Sequence, residues 1–194
     1  MKKIAFMIIA LMFISTVAYA AEETGMGFSI DFSLNGAKGN KEVYPSSLFS
    51  GTLGVEFGVN VDLKRFGMDA GASKGVEFQG RASISHYKWN EAFFSHDSYR
   101  RIPLFVGIRS LVPLFTKHVK VYGQIGPEIS FDNQKDYYLW TDTLTSDENS
   151  VNIGITPGVG ILFNIYRVYL GVGFNYHIIK DPYGTLGLTV GFNF

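Results

Sequence analysis

The sequence predicts an all-β chain, an eight-stranded antiparallel up-and-down barrel that crosses a lipid bilayer. Three observations carry that reading. First, two stretches alternate without a break. Leu53, Val55, Phe57, Val59, Val61 and Leu63 stand against Gly54, Glu56, Gly58, Asn60 and Asp62, and Leu186, Leu188, Val190, Phe192 and Phe194 stand against Gly187, Thr189, Gly191 and Asn193. A period of two puts the large apolar side chains on one face of a strand and the small or polar ones on the other. Second, Gly at 22, Phe at 17 and Tyr at 11, beside only 6 Pro, is a composition of strands and turns. Third, beyond the first 20 residues no apolar run approaches the roughly 20 residues of a spanning helix, so a membrane span must be built from strands.

The amino terminus carries the features of an export leader. Lys2 and Lys3 precede an apolar run from Ile4 to Ile14, and Ala18-Tyr19-Ala20 offers the small-x-small pattern of a signal-peptidase site. Cleavage after Ala20 leaves one domain, residues 21–194. Loss of Lys2 and Lys3 shifts the balance of 17 basic and 17 acidic residues from 0 to −2, which argues against nucleic acid as a partner. The absence of Cys excludes disulfides, thiolate metal sites and a lipid-anchored cysteine.

The first strand, MGFSIDFSLN, sets Met26, Phe28, Ile30, Phe32 and Leu34 against Ser29, Asp31 and Ser33; a polar connection over 36–51 leads to the second, at 52–63. The third, at about 74–90, alternates Val76, Phe78, Ala82 and Ile84 with Glu77, Gln79, Arg81 and Ser83. The fourth, RRIPLFVGIRSL, turns Ile102, Leu104, Val106 and Ile108 outward and Phe105, Gly107 and Arg109 inward. The fifth, at about 118–131, opposes Val119, Val121, Ile125 and Ile129 to Lys120, Tyr122, Gln124 and Glu128. Residues 132–150 are expected to form the longest polar connection, with five acids against Lys135. The sixth strand spans about 151–162. The seventh, RVYLGVGFNYH, ends before the turn Asp181-Pro182-Tyr183-Gly184, which leads into the eighth. Long odd-numbered connections and mostly short even-numbered ones suit a bacterial barrel with both termini on the periplasmic side. Trp89, Trp140 and Tyr183 are expected in an external aromatic girdle, with Phe66, Phe115, Phe163 and Tyr166 in a periplasmic one.

Alternation does not say which face is outside, since a soluble ligand-carrying barrel has the same period with its apolar face inward. The Gly, Ser and Thr of the polar face suit the narrow interior of eight strands better than a wet surface. The inward charges Asp31, Glu56, Glu77, Arg81, Arg109, Lys120 and Glu128 carry both signs in similar number, so they are expected to pair and fill the interior. Glu77, Arg109 and Lys120 are expected to form one cluster at the periplasmic end.

The leader, the eight strands, IPLFVGIRS, VYGQIGPEISF and the closing GFNF resemble the small outer-membrane β-barrel domain family, the broad group of OmpX-like, opacity-like and PorT-like proteins. The resemblance spans the mature chain and implies residence in the outer membrane among its lipid and lipopolysaccharide. It further implies insertion by the barrel-assembly machinery, with Phe192 and Phe194 in the closing signal, and a monomer without cofactor. Members include adhesion and host-surface proteins, structural barrels and many of unknown role, and lipid A deacylases resemble the chain in size. The deacylases use a His-x-Ser pair near the barrel's end; here Ile179 follows His177 at the place of the Ser. His86 and Ser85 fall on opposite faces, and His96 and His118 lie at a loop and a strand end, so the four His read as surface or interfacial residues. Asp142, Asp147 and Glu148 lack the spacing of a Ca²⁺ loop. The expected role is non-enzymatic, with adhesion or recognition by the external loops. Binding or passage of small hydrophobic molecules and a lipid-modifying activity stand as alternatives.

Overall fold

The computed structural model describes residues 27–39, 52–64, 76–90, 98–138 and 143–194. The expected leader with Ala18 and Ala20, and also Phe66, His96, Trp140 and Asp142, lie outside them, as does the side chain of Trp89. Ten segments follow in chain order: β1 (Phe28–Gly39), β2 (Thr52–Asp62), β3 (Glu77–Asn90), β4 (Ser98–Leu114), β5 (Thr116–Ile125), β6 (Pro127–Tyr138), β7 (Thr143–Ile155), β8 (Gly158–Ile165), β9 (Val168–His177) and β10 (Tyr183–Asn193). They make eight strands, because β5 continues as β6 and β7 as β8. Both continuations keep one register against their neighbours. Pro127 and Pro157 have no N–H to give to the ladder, which explains the two interruptions. The Thr156 amide still donates to the Gly126 carbonyl at 2.9 Å.

The sheet closes on itself as β1 pairs with both β2 and β10. A circuit along the hydrogen bonds shows the stagger. From Gly27 it passes through Asp62, Gln79, Arg109, Gln124, Gly158, Asn175 and Thr185 and returns to β1 at Ala37, ten residues further on. Eight strands with this stagger lean at about 40° to the barrel axis.

The distribution of side chains is that of a membrane barrel. Ile153 is 74% exposed and Leu53 70%, while Asp31 and Arg101 are fully buried. Apolar outside and polar inside is the reverse of a soluble ligand carrier, and lipid is the solvent that suits it. At the β4–β5 and β8–β9 turns Phe115 and Tyr166 adopt φ of 60° and 61° and stand almost fully exposed. Bulky residues rarely take that conformation.

Three expectations about the chain change. The strand at 74–90 begins at Glu77. The supposed polar connection over 132–150 is mostly a ladder, because β6 runs to Tyr138 and β7 starts at Thr143. Above the bilayer both faces of a strand are wet, so the alternation vanishes from the sequence while the hydrogen bonds continue. Tyr183 is no girdle residue: it opens β10 pointing inward and is 1% exposed.

Candidate functional site

The lumen is the densest collection of polar chemistry in the described residues, and it is stacked in tiers. In the middle tier Arg81 of β3 donates through Nη1 and Nη2 to Asp31 of β1, at 2.6 and 3.0 Å, and through Nη2 to Glu56 of β2. Asn60 accepts from the same guanidinium at 2.9 Å and donates to Asp31, which also accepts from the Tyr169 hydroxyl at 2.9 Å. Gly58 leaves the space: a Cβ there would collide with the Asp31 carboxylate.

Arg109 lies beside this group. Its Nε and Nη2 donate to Gln124 Oε1 at 3.1 and 2.8 Å, and its Nη1 comes within 4.0 Å of Asp31. The guanidinium sits 4.3 Å from the centre of the Tyr122 ring, a cation–π geometry. Gln124 passes the chain on to Asn175 at 2.8 Å.

Above them, Glu128 accepts from the Thr156 hydroxyl and faces His177 Nδ1, both at 2.5 Å. His177 Nε2 meets the Thr185 hydroxyl at 3.2 Å, and the Tyr183 ring lies flat on the imidazole at 4.0 Å. At the outer end Arg101 grips Asp132 through Nε and Nη2 at 2.8 and 2.6 Å and donates to the Asp181 carbonyl at 3.0 Å. Tyr99, Ser130 and Asn152 also donate to that carboxylate.

The expected lumen residues Asp31, Glu56, Arg81, Arg109 and Glu128 are all buried inside. The expected triple cluster does not form. Lys120 and Glu77 pair at 2.6 Å in a half-open vestibule at the inner mouth, where Glu77 remains about half exposed. Arg109 is absent from that pair because the register sets it opposite Gln79 and Gln124, while Glu77 stands opposite Leu111. His177 is likewise no surface residue; it is 5% exposed in the lumen. Sequence reading also missed Arg101 and Asp132. The alternation that turns Ile102 and Leu104 outward turns Arg101 inward, and Glu128-x-Ser130-x-Asp132 continues the inward series of β6.

Thr185, His177 and Glu128 have the composition of a hydroxyl–imidazole–carboxylate relay. All three are buried and the Tyr183 ring covers the imidazole. Among the described residues no group of three His, Asp or Glu is placed to hold a metal ion. Asp147 instead accepts from Asn133 at 2.7 Å and pairs with Lys135 at 3.3 Å.

A sequence profile described as the outer membrane protein beta-barrel domain matches residues 6–194. No curated protein matches the chain in sequence. Among solved structures, Ail, the attachment invasion locus protein of Yersinia pestis, superposes with a TM-score of 0.55 at 14% identity, over 87% of this chain and 97% of that one. A major outer membrane protein of Thermus thermophilus gives 0.52 at 12% identity, over 87% and 99%. Neisserial surface protein A gives 0.50 at 16%, over 88% and 97%. At such identities the likeness is one of fold.

Proposed function

This chain belongs to the outer membrane protein beta-barrel domain family, and from that premise we propose a non-enzymatic integral barrel whose lumen is a plug and whose external strand ends and loops carry recognition. The observation that supports this most is the lumen itself. Arg81, Arg101 and Arg109 are each buried and each held by carboxylate, amide or hydroxyl oxygens inside the wall. Charges so paired resist displacement, because separating them leaves an unpaired ion in a poorly solvated space. A filled lumen leaves little room for a substrate inside it, and this reading therefore places function on what projects outward.

The outward-projecting parts are extended. A membrane-crossing strand needs about 9–11 residues, and β4 has 17. With β6 and β7 it forms a ladder that continues past the apolar band, and in this reading that end of the barrel faces the cell exterior. Attachment, the activity in Ail's name, is one task such a surface serves. Export by a leader cleaved after Ala20, insertion by the barrel-assembly machinery and a monomeric state complete the reading. A second reading, binding of small hydrophobic molecules, has one footing. A groove of about 670 Å³ on the lipid face is lined by Phe78, Ile108, Ile125, Pro157, Phe174 and Tyr176.

The test replaces the connections 40–51, 91–97 and 139–142 by short turns in cells that display the protein. Binding of those cells to immobilised matrix proteins and to sulfated and neutral glycans is then measured. Loss of binding with unchanged heat-shifted gel mobility is the expected result. Unchanged binding, or a new lipid mass in cells that express the native barrel, would overturn the proposal.

A further inference from the structure

Lys88 of β3 and Arg100 of β4 are directly opposed across the ladder, and both point outward. Their neighbours on either side, Tyr87, Tyr99 and Arg101, are buried in the lumen. Like charges facing each other across strands are destabilising, and no ion pair or hydrogen bond satisfies either cation among the described residues. The adjacent column shows the contrast. There Lys135 is matched by Asp147, and Asn133 bonds both Asp147 and Asn149.

The position of the pair along the strands is equally specific. On the lipid face of β3 and β4, His86 lies one step inward from Lys88, followed by Ile84, and Ile102 and Leu104 lie inward from Arg100. Val55 and Phe57 of β2 stand opposite His86 and Ile84, and Val55 is 60% exposed. On β6 and β7 the apolar band stops at the same row: Phe131 and Val151 lie below Asn133 and Asn149. The two cations therefore stand at the edge of the acyl region, with an imidazole beneath them and bare aliphatic surface below that.

We infer that Lys88 and Arg100, assisted by His86, bind the phosphate of an anionic lipid headgroup in the outer leaflet, whose acyl chains lie on Val55, Ile84 and Leu104. This rests on the reading above that the β3–β4 connection faces the cell exterior. The apolar strip decides between a lipid and free phosphate, because a soluble anion has no use for it. A guanidinium and an ammonium together give a phosphate both a fork of donors and a second charge.

The experiment measures binding of lipid A, a diphosphorylated glycolipid, to the full-length protein in zwitterionic detergent micelles by native mass spectrometry. Phosphatidylethanolamine and inorganic phosphate serve as the comparison ligands. The K88Q/R100Q variant should bind lipid A roughly 10- to 30-fold more weakly, as expected for two basic residues at a membrane surface, with its thermal unfolding unchanged. K135Q, which removes an already matched cation, should bind as the native protein does. Equal affinity of K88Q/R100Q and native protein, or an equal loss in K135Q, would overturn the site. Complete displacement of lipid A by millimolar phosphate would overturn the assignment to a lipid. An epitope inserted at 91–97 tests the orientation separately. Its detection on intact cells supports an outer-leaflet site, and its detection only after lysis overturns that placement whatever the micelle result.

Discussion

Arg81 holds Asp31 with both terminal nitrogens, at 2.6 and 3.0 Å, although the two stand two strands apart and 50 positions apart in sequence. Both are buried and Glu56 shares the same guanidinium. Replacing Arg81 by Met leaves two carboxylates facing each other in a space with little water. The expected loss is about 3–5 kcal/mol, read as a lower midpoint of unfolding in urea with micelles present. Adding Asp31→Asn should return part of it. Lys120→Met, which breaks a half-exposed pair with Glu77, should cost no more than about 1 kcal/mol. Similar losses at both sites would contradict a distinction between plug and vestibule.

Tyr122 makes the second prediction. Its ring and hydroxyl fill the notch left by Gly160 and Gly173, where an added Cβ at either position would collide with it. Gly173→Ala should therefore destabilise by about 1–3 kcal/mol through overpacking. Because the nearest atom is the hydroxyl, Gly173→Ala combined with Tyr122→Phe should be less damaging than the alanine alone. If the second change adds to the loss instead, the close approach is not the cause.

How far such contacts were readable from sequence follows from the geometry of a barrel. Which face each residue occupies was legible, since alternation is unaffected by anything beyond its own strand; Glu56, Arg81 and Arg109 fell inside as expected. Which inward residues meet was not, because a slip of two residues preserves every face and changes every partner. Arg109 reached Gln124 and Asp31 and missed Glu77 for that reason. Tyr183 was misplaced because the Asp-Pro-x-Gly turn pattern outweighed one residue of strand, and β6 and β7 were cut short where water on both faces erased the period.

His177 supplies a prediction about chemistry. If Thr185, His177 and Glu128 form a packed row without access, His177→Gln should lower the unfolding midpoint, as a buried hydrogen-bonded group does at about 1–3 kcal/mol. Lipid extracted from cells that express either form should have the same masses. A lipid species that appears with the native protein and disappears with the variant would establish an enzyme.

The plug also predicts electrical behaviour. Native protein in planar bilayers should pass no steady current at about 100 mV, a drive of about 2.3 kcal/mol per charge, because Arg81 and Arg109 are held side by side in the middle of the lumen and Arg101 at its outer end. Large stable openings of the native protein would show that the tiers part.

The carboxyl-terminal residue has a measurable structural place. The Phe194 amide donates to the Phe28 carbonyl at 2.9 Å, and the two rings stack at 4.9 Å. Removing Phe194 should slow insertion and lower the amount in the outer membrane. The barrels that do form should lose at most about 2 kcal/mol of stability, one hydrogen bond and one aromatic contact. Equal abundance with and without Phe194 would refute its role in delivery.

Ser29 and Asn193 face each other across the β1–β10 pairing, and that seam puts a clock on the protein's life before it reaches lipid. A strand made first waits for one made last. In the interval β1 and whichever strand has most recently emerged each carry an open row of amides and carbonyls, and every outward Leu, Val and Phe meets water. Loop closure of such length is slow, and exposed edges pair with whatever strand they encounter. A chain whose seam closes last is therefore exposed to wrong pairings for as long as its first and last strands stay apart.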